Sequence, residues 1–307
     1  MANHYITFRD LTKEEYQALF QRTSHLKKAR RDGLYAYPHL GGRSVGLIFH
    51  KHSTRTRVSF ETAINELGGH PVVLAANDTQ ISRGEAPAHT AEVLSRYLAA
   101  VAIRTYEESE LLELAAHSSI PIINALTNQQ HPCQVLGDVF TLIETLGGEP
   151  LEKQLVAWVG DGFNMANTWL EAAGVLGFGL HVSCPPGYEP DEAILKRAQA
   201  DNPRVKFFGS PKEAVKGARA VNADVFASMG QEEEKAKRLK AFKNYQVNAE
   251  LMALADPKAI FMHCLPAKIG EEVSAEVFDG PASVVYEEAE NRLHAQKALL
   301  EFLIPRL

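Results

Sequence analysis

From residue 44 onward, short β-branched or apolar runs alternate with stretches of helical apolar spacing, which restricts the chain to parallel strands joined by crossover helices. SVGLIFH (44–50) reads as a buried strand. RVSFETAINEL (57–67) sets Val58, Ala63, Ile64 and Leu67 largely on one helical face, and Gly68-Gly69 ends it. PVVLAA (71–76), AAVAIR (99–104) and PIINA (121–125) read as further strands, with helices near Glu107 to His117 and Gln134 to Leu146. In the second half QLVAWVG (154–160), GLHVSC (179–184), RVKFFG (204–209), AVNADV (220–225), AIFMHC (259–264) and SVVYE (283–287) read as six more strands. The closing EEAENRLHAQKALLEFLI has the spacing of one long terminal helix.

The fold class expected is α/β, with two doubly wound parallel-sheet domains. A chain of 307 residues accommodates two domains of ordinary size. Gly147-Gly148-Glu149-Pro150 is the strongest breaker cluster near the middle, so the expected boundary separates residues 1–148 from 149–286. Residues 287–307 form the terminal helix.

The charge pattern excludes several classes of partner. With a net charge of -6 and no extended basic block, the chain lacks the cationic face that nucleic acid demands. No apolar run approaches the ~20 residues that cross a bilayer, and MANHYITFRD does not resemble a targeting segment, so no membrane partner and a cytoplasmic location are the expectations. The three cysteines, Cys133, Cys184 and Cys264, are odd in number and widely spaced, which argues against a disulfide framework.

Ser53-Thr54-Arg55-Thr56-Arg57 lies where a strand turns into a helix. Hydroxyls, guanidinium groups and the free N–H groups of a helix start are what an oxyanion such as phosphate requires. A plain N-cap with solvated arginines would look the same locally, but ligands in open α/β sheets sit at the carboxyl ends of strands. Arg104 also ends a strand, and His131-Pro132-Cys133-Gln134 follows another, so three strand ends offer donors to one crevice. Gly160-Asp161-Gly162 resembles a nucleotide loop, yet it continues Phe163-Asn164 without a third glycine, and no dinucleotide or other cofactor is expected. Asp224, with Ser228 and Met229 just beyond, places a carboxylate where a substrate ammonium is held, or where a loop Asp caps a helix. His263-Cys264-Leu265-Pro266 ends another strand. Together with His131 and Cys133 it supplies two His and two Cys, but these spacings match no structural zinc pattern and no metal is expected. Asn291-Arg292-Leu293-His294 lies on the terminal helix, where a solvated face is the plain reading.

STRTR, the strand-end Arg104, HPCQ, the Asp224 segment with SMG, HCLP and NRLHAQKA occur in the order found in the aspartate/ornithine carbamoyltransferase family, which the chain resembles over residues 53–299. SMG and HCLP are similar to the ornithine branch. The resemblance implies a carbamoyl phosphate domain followed by an amino-acid domain, with the last helix crossing back to the first. It also implies a homotrimer, and transfer of a carbamoyl group from carbamoyl phosphate to the δ-amine of ornithine, giving citrulline.

Carried over by position, the resemblance implies that Ser53, Thr54, Arg55 and Thr56 surround the phosphate and that Arg104 bridges phosphate and carbonyl oxygen. His131 and Gln134 hold the carbamoyl group, with the Leu265 carbonyl and Arg292 completing that side. Asn164, Asp224, Ser228 and Met229 bind the α-groups of ornithine, with Cys264 beside the δ-amine, and Gln80 reaches a neighbouring subunit's site. The chain departs from the family pattern at Phe163, where relatives often have Asn, at Lys268-Ile269 in place of His-Arg, and at His50-Lys51-His52 in place of Glu-Lys-Pro. Two alternatives stay open at this level: a different amine acceptor (putrescine, an N-acylated ornithine or aspartate), or a catalytically silent relative that only binds ligand.

Overall fold

The computed structural model of the chain describes residues 3–51, 53–75, 84–227 and 234–306. The chain divides into two compact units, Met1–Phe140 with Glu290–Leu307, and Thr141–Ala289. The divisions fall inside helices, so no loop by itself marks the transition.

The first unit opens with helix α1 (Lys13–Arg31). Thr12 starts it by accepting from the Glu15 amide while the Glu15 side chain accepts from the Thr12 amide, a reciprocal cap that satisfies two otherwise orphaned donors. Four strands follow: β1 (Ser44–Phe49), β2 (His70–Ala75), β3 (Ala100–Arg104) and β4 (Ile122–Leu126). They form a parallel sheet in the order β2-β1-β3-β4. Helices α2 (Arg55–Glu66), α3 (Pro87–Leu94) and α4 (Glu108–Ala116) connect them. Val45, Leu47 and Ile48 are all buried, as a central strand covered on both faces requires. Register aligns Phe49 with Ala75 on one side and Arg104 on the other, which sets the end of β3 beside the end of β1. Ile48, Val101, Ile103, Leu111, Leu114 and Ile122 form a core between sheet and helices.

Helix α5 (Pro132–Thr145) leads from the first unit to the second. There β5 (Leu155–Val159), β6 (Gly179–Ser183), β7 (Val205–Phe207), β8 (Ala220–Ala223) and β9 (Ile260–His263) make a parallel sheet ordered β7-β6-β5-β8-β9. Helices α6 (Asn164–Leu176), α7 (Glu192–Asp201), α8 (Pro211–Ala214), α9 (Lys235–Ala241), α10 (Ala249–Met252) and α11 (Ala275–Phe278) pack around it. Ala223 pairs in register with His263, so Asp224 and Cys264 leave adjacent strand ends.

The α/β reading with two parallel sheets therefore holds, and one expected strand does not. Residues 283–287 contribute only a single bridge, Ser283 to Phe261, closed by the Val284 amide donating to the Phe261 carbonyl. Helix α12 (Val285–Leu303) begins directly afterwards. The apolar pair Val284-Val285 that resembled a strand is instead the entry to the helix, with Val285 buried in the second unit's core. From Glu290 onward α12 belongs to the first unit, where Lys297 Nζ donates to Glu66 at 2.7 Å and Arg22 Nη2 to Glu301 at 2.9 Å.

Candidate active site

In the first unit, the sharp passage from β1 into α2 exposes the helix start. Thr54 precedes the helix with no side-chain cap bond, leaving its hydroxyl and the first helical amides available to a ligand. Within STRTR the two arginines part ways. Arg57 is exposed and paired with Glu61 one turn on at 2.7 Å, the plain solvated reading, whereas Arg55 is half-buried. Thr56 is buried, and its Oγ1 accepts from Nη2 of Arg292 at 2.7 Å.

Arg292 lies on α12 and is only 3% exposed, so the solvated-face reading of that helix fails at this residue. A Cβ on Gly137 of α5 would come within 3.1 Å of the Arg292 Cγ; the missing side chain at Gly137 is what lets the two helices approach there. Arg104, at the end of β3, is 7% exposed.

His131 immediately precedes α5 and is buried. Burial first, and then the positive charges of Arg292, Arg104 and Arg55, hold its pKa well below the usual histidine value. The result is a neutral imidazole surrounded by cations, suited to donate one N–H while the arginines attract an anion. Gln134, on the first turn of α5, donates to Asp138 at 2.8 Å, while burial pushes the Cys133 thiol up to about 12 and makes it inert.

In the second unit, Asp224 Oδ1 accepts from the Val225 amide at 2.7 Å and from Cys264 Sγ at 3.2 Å. Burial raises the Asp224 pKa, with His263 and the bond from Cys264 opposing. A buried carboxyl with too little compensating charge is where a cationic ligand gains most. Leu265 sits in the left-handed region at φ 59, and its amide donates to His263 Nδ1 at 2.9 Å. Asn164 is the buried first residue of α6, with Phe163 before it.

Asp224, His263 and Cys264 present ligand-type atoms within 4.8 Å of one another, but His263 is engaged at Nδ1 by Leu265 and at Nε2 by Glu272, 3.2 Å away. Protein hydrogen bonds account for the cluster. Gly162 is explained by packing: a Cβ there would lie 2.2 Å from the Glu189 carbonyl carbon. The glycine of the apparent nucleotide loop serves a close backbone crossing.

Two features escaped the sequence reading. Asp161 and Arg238 form a buried ion pair at 2.8 Å, with the Arg238 guanidinium 4.8 Å over the Tyr188 ring and Asp161 pushed up to about 6, chiefly by burial. Nothing in the spacing of residues 161 and 238 signals the pairing. Lys51 is also buried, although it stands two residues before a motif already singled out. Gln80, Ser228 and Met229 lie outside the described residues.

Comparison with known proteins adds the following. Residues 3–144 match the family model described as the carbamoyl-P binding domain of aspartate/ornithine carbamoyltransferase, and residues 152–303 match the Asp/Orn binding domain of the same family. A curated protein of Paracidovorax citrulli named ornithine carbamoyltransferase is 50% identical over 98% of this chain and 96% of its own length. One of that name from Chromobacterium violaceum is 51% identical over the same shares. Among solved structures, the ornithine carbamoyltransferase of Pyrococcus furiosus superposes with a TM-score of 0.94 at 42% identity, covering 99% of this chain and 97% of that one. The Burkholderia thailandensis enzyme of that name gives 0.90 at 44% identity, covering 99% and 100%.

Proposed function

The chain belongs to the aspartate/ornithine carbamoyltransferase family, and from that premise we propose that it is an ornithine carbamoyltransferase, moving the carbamoyl group of carbamoyl phosphate to the δ-amine of L-ornithine. The observation that carries this reading is that Arg55, Arg104 and Arg292, from three different elements, all act by their positive charge on one buried histidine, His131, and hold its pKa well below the usual value.

In this reading the phosphate rests on Ser53, Thr54, Arg55 and Thr56 at the start of α2, with Arg104 shared between phosphate and carbonyl oxygen. His131 and Gln134 hold the carbamoyl group, and Arg292 and the Leu265 carbonyl complete its surroundings. Asp224 receives the α-ammonium, Asn164 and the Ser228-Met229 segment the remaining α-groups, and Cys264 borders the side-chain amine. Gln80 acts in a neighbouring subunit of a homotrimer.

Ornithine must attack as the neutral amine, which desolvation of its side chain favours. Attack on the carbonyl carbon turns its oxygen into an oxyanion. Arg104 supplies a charged donor, His131 a neutral one, and the Thr56 hydroxyl, which already accepts from Arg292, has its own proton left to donate. The carbon–oxygen bond to phosphate then breaks, and phosphate leaves with the amine proton into the arginine cradle. We place the enzyme in arginine metabolism in the cytoplasm; among the described residues no helix is long and apolar enough to cross a membrane.

The test is a steady-state assay of carbamoyl phosphate against ornithine, putrescine, N-acetylornithine and aspartate. Ornithine is expected to give the highest kcat/KM, with citrulline as product. Preference for another amine would reassign the substrate, and absence of any ureido product at high enzyme concentration would remove the activity.

A further inference from the structure

Lys51 is a buried primary amine that the reaction as derived above does not use. It follows β1 by two residues, and Ser53 opens the phosphate loop two residues later. Its Nζ donates to Asn128 Oδ1 at 2.6 Å and lies 4.3 Å over the ring of Tyr106. The side chain is thus fixed at the strand ends where Arg104 emerges, and the residue is only 7% exposed.

We propose that Lys51 is a modification site, the residue at which bound carbamoyl phosphate carbamoylates the enzyme itself when no acceptor amine is present. The inference rests on the carbamoyl phosphate reading of the first unit. Lys51 and ornithine offer the same nucleophile, a primary amine on an alkyl chain, and Lys51 is held on the same unit as the donor's cradle. Neutral Nζ attacks the carbonyl carbon and forms an N–C bond. The C–O bond to phosphate breaks with its electron pair, and phosphate carries off the amine proton, leaving an Nε-carbamoyl lysine. Burial, then the positive charge of Arg104, bring the Lys51 pKa down to about 8 against a weaker opposing pull from Glu107, while the Tyr106 ring and the Asn128 carbonyl oxygen hold the charged form. His50, the preceding residue, faces Glu110 and Thr105 instead. Carbamoylation replaces a cation by a neutral urea beside Arg104, and the predicted consequence is progressive loss of carbamoyl phosphate affinity during turnover without acceptor.

The experiment incubates the whole enzyme at pH 8 with carbamoyl phosphate and no ornithine, then follows the mass of tryptic and non-tryptic peptides over time. A parallel sample receives potassium cyanate, the electrophile that carbamoyl phosphate releases in solution, and a third receives carbamoyl phosphate with excess inorganic phosphate. Lys51 is expected to gain one carbamoyl group at least about tenfold faster than the exposed Lys196, Lys212 and Lys243, because an amine titrating near 8 is neutral far more often than an ordinary lysine. Phosphate is expected to suppress this, and cyanate to label the exposed lysines first. An unmodified Lys51, labelling no faster than that of exposed lysines, or labelling indifferent to phosphate overturns the proposal. Citrulline formation is measured on the same preparation. Citrulline without a Lys51 adduct rejects the modification alone, and an adduct without citrulline upholds the modification while rejecting the proposed function.

Discussion

Arg292 on the last helix donates from Nη2 to Oγ1 of Thr56 at 2.7 Å, joining residues 236 positions apart. Both groups are buried, so neither finds water as a substitute partner. The bond ties the first turn of α2 to the far end of the chain. Thr56→Val removes the acceptor while keeping the shape. The expected result is a fall in kcat of roughly tenfold to a hundredfold, the usual cost of a lost preorganised donor in such a site, with little change in the ornithine KM. Stopped assays at saturating ornithine check it; an unchanged kcat would show that Thr56 only packs.

Arg55→Ala is expected to reduce kcat/KM for carbamoyl phosphate by about a hundredfold or more if Arg55 binds the phosphate as proposed, since a guanidinium fork on an anion has no equivalent replacement. Arg57→Ala is expected to leave it within about twofold, because Arg57 is exposed and already occupied by Glu61. The contrast between the two mutants is the measurement, and equal effects would contradict the assignment.

Asp224→Asn keeps the size of the side chain and removes its charge. It should raise the KM for ornithine at least about tenfold, as loss of a charge-assisted contact does, while the carbamoyl phosphate KM stays nearly constant. Parallel increases in both constants would mean that Asp224 holds the fold of the second unit and not the substrate.

Gly162→Ala should destabilise the protein by about 1–3 kcal/mol, the usual cost of overpacking, because the new methyl meets backbone that cannot rotate away. Denaturant unfolding measures this. A variant as stable as the parent would show that the crossing of Glu189 and Pro190 is loose.

His294 is buried on α12, and burial lowers its pKa from 6.5 to about 4, with Glu290 opposing. The unfolded chain therefore binds a proton at higher pH than the folded one. The contribution is intact above pH 6.5 and is lost progressively as the pH falls toward about 4. His294→Gln is expected to flatten the stability profile in that window, read as Tm against pH; an unchanged slope would assign the acid sensitivity to other groups.

The helix at Lys13–Arg31 carries a local signal at its start. Thr12 and Glu15 form a capping box three residues apart, yet the sequence reading began its elements at residue 44 and placed no helix here; the local signal was present and was missed. The Asp161–Arg238 pair had no such signal, since its partners come from different elements whose juxtaposition depends on the packed sheet.

The sequence by itself determined the alternation of strands and helices, the two parallel sheets and the strand-end placement of STRTR, Arg104, HPCQ, Asp224 and HCLP, because these follow from apolar periodicity and from short-range turn chemistry. Tertiary structure alone decided that Arg55 is half-buried and Arg57 exposed, that Arg292 is buried against Thr56, and that burial and neighbouring charge lower the His131 pKa. It also decided that Val285 opens a helix where a strand was expected. Each of these depends on burial and on charges brought together from distant positions, quantities that exist only once the chain has packed.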